Sequence, residues 1–156
     1  AAPGAAAAPG ARPARPAGGF ARMMDNGFEE VLVDELIPYI DANFRTKADQ
    51  ANRAMAGLSM GGMETHTITL ARPEVFSHFG LLSGGTYSPD EIKDKSKVKL
   101  IFLSCGSFEN PDGVTTAAAE LKEAGINAVS FVSENTRHEF QTWRRSLYHM
   151  AQLMFK

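Results

Sequence analysis

The chain has 156 residues, with 18 acidic and 16 basic side chains and a formal net charge of −2. That length suits one domain, and the near-balance of charge supplies no field to draw nucleic acid or an anionic membrane. Its longest apolar runs, such as LIFLSC, fall far short of the ~20 residues of a membrane span, and no stretch has the charged start, apolar middle and small-residue cleavage site of a signal peptide. The single cysteine, Cys105, excludes an intramolecular disulfide.

Residues 1–24 open with AAPGAAAAPGARPARPAGG, in which no large apolar side chain precedes Phe20. Such a segment buries too little surface to offset its ordering entropy, so a flexible loop or tail is predicted there, followed by one α/β domain over 25–156. In FEEVLVDELIPYIDANF, the spacing of Phe28, Val31, Leu32, Leu36, Tyr39, Ile40 and Phe44 predicts a helix with one apolar stripe. Asn26 is its expected N-cap, and Pro38 is expected to kink it. RAMAGLS reads as a short buried strand, and MGGMETHTITLARP as a helix stopped by Pro73. FSHFGLLSGG reads as a strand, and SPDEIKDKSK as a loop or short helix. VKLIFLSCG has the continuous apolar run of a parallel-sheet strand. GVTTAAAELKEAGI is a helix ended by Gly125, NAVSFVS a strand, and HEFQTWRRSLYHMAQLMF a last helix with Phe140, Trp143, Leu147, Met150, Ala151 and Met154 on one face. Alternation at this spacing predicts a mostly parallel sheet of four strands flanked by helices.

The stretch AGLSMGG places Gly-x-Ser-x-Gly, centred on Ser59, between the first strand and the helix after it. Gly57 and Gly61 would permit a sharp elbow that lifts the Ser59 hydroxyl clear of the backbone. The same turn leaves the amide of Met60 at a helix N-terminus, aimed where an oxyanion would form. The bland alternative is a chance pentapeptide at an ordinary turn, and the strand-before, helix-after context weighs against it. A serine nucleophile needs a base, and the base an orienting carboxylate. Of four histidines, His66 and His149 fall inside helices and His78 near the start of a strand. His138 alone stands in a loop directly after a strand; otherwise it is a surface residue capping a helix. The acid should follow another strand, where SFENPDG offers Glu109 and Asp112. Glu109 comes sooner and is preferred; Asp112 could instead cap the next helix.

RAMAGLSMGG, FSHFGLLSGG, the Cys-Gly-Ser strand end and HEFQTWRRSLYHMAQLMF together resemble the esterase D-like α/β-hydrolases, and carbohydrate esterase family one, the feruloyl and acetyl xylan esterases, most of all. The resemblance covers Phe28 to the C-terminus. It implies Ser59 as nucleophile, His138 as base, and an acid three residues after Gly106, which is Glu109 where the family often has aspartate. It also implies no metal or cofactor, a secreted or periplasmic setting, and a feruloyl or acetyl ester of plant cell-wall polysaccharide, or a small aryl ester, as substrate. Trp143 would flank an aromatic acyl group or simply pack in the core; Met63, like Met60, would line the acyl pocket or fill space. Such hydrolases have about eight strands and draw one oxyanion donor from an early loop that has no counterpart here. The expectation is a C-terminal portion of the fold, with an exposed sheet edge open to self-association. Acyl transfer by the same machinery, or an inactive or carbohydrate-binding remnant, are the alternatives.

Overall fold

The sheet is wholly parallel, and its strands lie side by side in chain order. The computed structural model describes residues 27–156; residues 1–24 and Asn26 lie outside them. Helix α1 (27–43) leads to β1 (Ala54–Leu58), α2 (Met60–Ala71), β2 (His78–Leu82), β3 (Leu100–Gly106), α3 (Pro111–Glu123), β4 (Ala128–Ser133) and α4 (Phe140–Ala151). The strand order is β1-β2-β3-β4, every pair parallel, with Leu58 opposite Leu82 and Leu82 opposite Ser104. β3 is buried at all seven positions, which is why its sequence is apolar without alternation.

Two cores sit on the two faces of the sheet. One packs Ile101, Leu103 and Cys105 of β3 against Ile68 of α2 and Val114, Ala118 and Leu121 of α3. The smaller one joins Leu82, Phe102 and Met150, with Trp143 of α4 packed against them. Each fully buried side chain of this kind contributes roughly 1.5–3 kcal/mol.

Four expectations change. β1, expected to be buried, has no buried position, because it lies at the end of the strand order. The predicted stripe of α1 is largely exposed: Phe28, Tyr39 and Phe44 stand 52%, 60% and 62% accessible, and Val33 is the residue that turns into the core. Pro38 is met by a π-helical turn over Val31–Leu36, in which Ile37 N–H reaches Leu32 O. Widening the helix there accommodates a ring that α-helical register would drive against the Asp34 carbonyl. In α4 the inward positions are Thr142, Ser146 and Met150, while Phe140 and Leu147 face outward. Thr142 and Ser146 can be buried because their hydroxyls find partners: Thr142 Oγ1 lies within hydrogen-bonding distance of Thr136 Oγ1 and the Arg137 carbonyl, and Ser146 Oγ donates to Thr142 O.

β1 is an edge strand, and α1 lies beside it. Between them runs a groove of about 640 Å³ lined by Phe28, Leu32, Ile40, Met55 and Phe76, among others. On its lining Asp41 and Arg53 pair with each other at 2.8 Å. The C-terminal ends of the strands, where ligands gather in parallel sheets, are elsewhere.

Candidate active site

Ser59 follows the last residue of β1 and precedes the first of α2, at φ 51° and ψ −119°. Its backbone is pinned on both sides: Ser59 N–H donates to Leu82 O at 2.9 Å, and Gly62 N–H donates to Ser59 O at 3.0 Å. A residue with a side chain resists this backbone conformation, and the turn that enforces it presents Oγ outward. The glycines around it do unequal work. A Cβ on Gly57 would run into the Gly61 carbonyl, and one on Gly62 would lie 2.6 Å from Gly84 Cα. Gly61, by contrast, has open space around it. The expected close approach is that of Gly57 to the Gly61 backbone, and it requires glycine at 57 but not at 61; Gly62 is required instead by its approach to Gly84.

His138 stands between β4 and α4, in a loop stitched to the one after β3. Ser107 N–H donates to Ser133 O at 2.9 Å, Phe108 N–H to Thr136 O at 3.1 Å, and Asn135 N–H to Ser107 Oγ at 2.9 Å. Gly106 makes this possible, because a Cβ there would collide with the Thr136 carbonyl. The imidazole is thereby set with Nε2 2.7 Å from Ser59 Oγ and Nδ1 2.8 Å from Glu109 Oε1.

Glu109 accepts three hydrogen bonds. Besides His138, its Oε2 receives Gly106 N–H at 2.6 Å and the Ser83 hydroxyl at 2.9 Å. Burial works to raise its pKa, but the bonds from Gly106, His138 and Ser83 and the charge of His138 outweigh it and hold the carboxyl below its ordinary value. Ionised, it can only accept, so Nδ1 of His138 carries the proton and Nε2 offers a lone pair to the Ser59 hydroxyl. Asp112 stands apart, in the first turn of α3. Nor does it cap that helix: Asn110 does, accepting Gly113 N–H at 3.3 Å, with Pro111 at the first helical position.

The other histidines are occupied elsewhere. His78 is buried, with Nδ1 2.8 Å from Ser77 Oγ and Nε2 accepting Phe155 N–H. Burial first, and Lys99 second, push its pKa below the ordinary imidazole value. His66 stacks on Tyr87 and faces Glu91, and His149 stacks on Phe131. Cys105 is buried, which pushes its thiol pKa up.

Met60 opens α2, where a first-turn N–H has no helical partner. Met63 lines an open groove of about 230 Å³ with His66, Gly84 and Thr86. Trp143 is partly buried; its ring meets the His138 ring edge-on at 5.1 Å, and its Nε1–H donates to Ser83 Oγ at 3.0 Å. Ser83 was not singled out by the sequence, and the only signal it carried was the second serine-glycine strand end, LLSGG.

A parallel sheet flanked by helices, with a serine, a carboxylate and a histidine after β1, β3 and β4, has the architecture of an α/β-hydrolase-like fold. Residues 14–154 match the model of the Esterase family, described as "Putative esterase". The chain belongs to that family. It is 60% identical over 139 residues to an endo-1,4-beta-xylanase/feruloyl esterase of Xylanibacter ruminicola, a match covering 89% of this chain and 19% of that protein. Its fold is similar to that of a ferulic acid esterase of carbohydrate esterase family one from Anaeromyces mucronatus, solved with ferulic acid (TM-score 0.67, 17% identity, 82% of this chain and 54% of that one). It is also similar to a fluorophosphonate-binding serine hydrolase of Staphylococcus aureus (TM-score 0.61, 12% identity, 78% of this chain and 62% of that one). The chain thus spans about a fifth of the xylanase/esterase and about half of the solved ferulic acid esterase.

Proposed function

We propose that this chain carries the nucleophile, base and acid of a serine esterase acting on feruloyl or acetyl esters of plant cell-wall polysaccharide. The observation that carries the reading is the unbroken chain of hydrogen bonds Ser59–His138–Glu109, at 2.7 and 2.8 Å, at the C-terminal ends of three parallel strands. The feruloyl ester is chosen because relatives of this chain are feruloyl esterases; the acetyl ester rests on the family resemblance of the sequence.

In this mechanism Ser59 Oγ attacks the ester carbonyl while His138 Nε2 takes its proton. The tetrahedral oxyanion forms against the Met60 N–H. Collapse breaks the carbonyl–alkoxy bond, and His138 returns the proton to the departing alcohol. Water then attacks the acyl-serine with His138 again as base, releasing the acid and restoring the hydroxyl. Glu109 holds the imidazole in one tautomer and stabilises it when charged. Met63, in the groove beside the elbow, and Trp143, against His138, are the side chains proposed to bound the acyl group. The activity is proposed for a complete domain of the relatives' length, in which further strands would bring the second oxyanion donor.

A fluorophosphonate probe tests the nucleophile: labelling is expected in the complete domain and lost in Ser59→Ala. Labelling that survives the substitution sinks the assignment. Methyl ferulate, acetylated xylan and short-chain aryl esters then separate substrate classes. Activity confined to long-chain lipid esters would contradict the cell-wall reading.

A further inference from the structure

Ser83 ends the strand next to the nucleophile's and shares its unusual backbone, with φ 51° at both serines. Two glycines follow it. Glycine would occupy such a φ without strain, whereas a residue with a Cβ does so at a cost. The hydroxyl is what a glycine there would lack, and it lies in the site. Ser83 Oγ is 2.9 Å from Glu109 Oε2 and 3.0 Å from Trp143 Nε1.

The direction of these bonds is fixed by what each group can do. An indole N–H only donates and an ionised carboxylate only accepts. The single proton of the Ser83 hydroxyl therefore points to Glu109, because the indole occupies the oxygen from the other side. Hydrogen bonds then run with one polarity from Trp143 to Ser83 to Glu109, and His138 donates to the carboxylate's second oxygen. Glutamate also has one more rotatable bond than the aspartate often found at the acid's place. With Gly106 N–H and Ser83 O–H both on Oε2, the carboxylate plane is fixed by two points, and Oε1 is left facing His138. Without Ser83, a single backbone N–H remains to orient that oxygen.

We infer that Ser83 is a positioning residue for the acid, with its hydroxyl oriented by Trp143, so that five side chains rather than three hold the reacting geometry. The inference rests on the esterase reading above.

The experiment is a kinetic cycle on an aryl ester in the complete domain, using Ser83→Gly, Ser83→Ala, Trp143→Phe and the double variant Ser83→Gly/Trp143→Phe. Ser83→Gly is expected to lower kcat about tenfold, equivalent to about 1.4 kcal/mol, with KM unchanged within about twofold. Its thermal stability should be retained or raised, since glycine relieves the strained φ. Ser83→Ala, which keeps the strain and loses the hydroxyl, should fall equally in kcat. Trp143→Phe should cost about threefold alone and nothing further in the Ser83→Gly background, because the indole acts through the hydroxyl. Wild-type kcat in Ser83→Gly, with Ser59→Ala inactive in the same assay, would overturn the positioning role and leave the triad standing. Independent, multiplicative losses in the double variant would overturn the link to Trp143. Activity persisting in Ser59→Ala would overturn both this inference and the esterase reading.

Discussion

Gly106→Ala isolates how far the site depends on two loops touching. The added Cβ would sit 2.7 Å from the carbonyl carbon of Thr136 and 2.8 Å from Arg137 O, where ordinary contact begins at 3.4 Å. Both neighbours are backbone, so no side chain can rotate away. The Thr136 carbonyl oxygen lies nearer still, so the loop must retreat by about 1 Å or β3 must bow, and His138 lies one residue beyond Arg137. Overpacking of this kind costs about 1–3 kcal/mol, which in a domain of this size lowers Tm by about 2–12 °C. The effect on turnover should be larger. Nε2 has one productive position 2.7 Å from Ser59 Oγ, and displacement approaching 1 Å costs on the order of 10²-fold. Gly106 N–H survives the substitution, so the bond to Glu109 is not removed directly. Thermal unfolding and aryl ester hydrolysis, measured on the same preparation, check both numbers. Unchanged Tm with turnover within twofold of wild type would refute the account of Gly106.

Glu109→Gln is expected to lower kcat by about 10³–10⁴, while Asp112→Asn changes it less than twofold; steady-state kinetics of the pair decides between the two carboxylates. The folded-state pKa of Glu109 lies below its ordinary 4.5, so its bonds stabilise the fold above that pH and cease to as pH falls through the lowered value. Denaturant titrations at pH 7 and pH 4 should therefore show a larger acid loss in wild type than in Glu109→Gln. The 156-residue chain by itself should associate through its open edge and hydrolyse aryl esters at least about 10²-fold more slowly than the complete domain; a monodisperse, fully active monomer in sedimentation would contradict this.

What was legible in the sequence follows from which forces are local. β3 announced itself because a strand covered on both faces must be apolar at every position, and all seven of its residues are buried. The order of elements came through for the same reason. The buried faces of α1 and α4 did not, because periodicity marks a stripe without saying what lies opposite. On α1 the groove side is open, and on α4 the hydroxyls of Thr142 and Ser146 satisfy one another's neighbourhood and so tolerate burial. α3 starts two residues before the Gly113 read from sequence, where Asn110-Pro111 supplied a cap and first position. At the site, Ser59, His138 and Glu109 were each marked by position after a strand, and the structure brings them together across 79 and 29 residues of chain. Ser83 also follows a strand, but nothing in the stretch FSHFGLLSGG pairs it with an acid. Its nearness to Glu109 exists only through the parallel register that aligns β2 with β3.

Trp143 is the chain's one tryptophan, and its ring lies 5.1 Å from His138. The proposed catalytic centre thus carries its own fluorophore. An imidazole that gains a proton beside an indole edge alters that ring's emission, so acyl-enzyme formation and imidazolium build-up should be visible by light in stopped flow, with no label attached. In a larger polypeptide with further tryptophans, the difference between wild type and Trp143→Phe would isolate that signal, and the intermediate could be timed while a natural, colourless ester is being consumed.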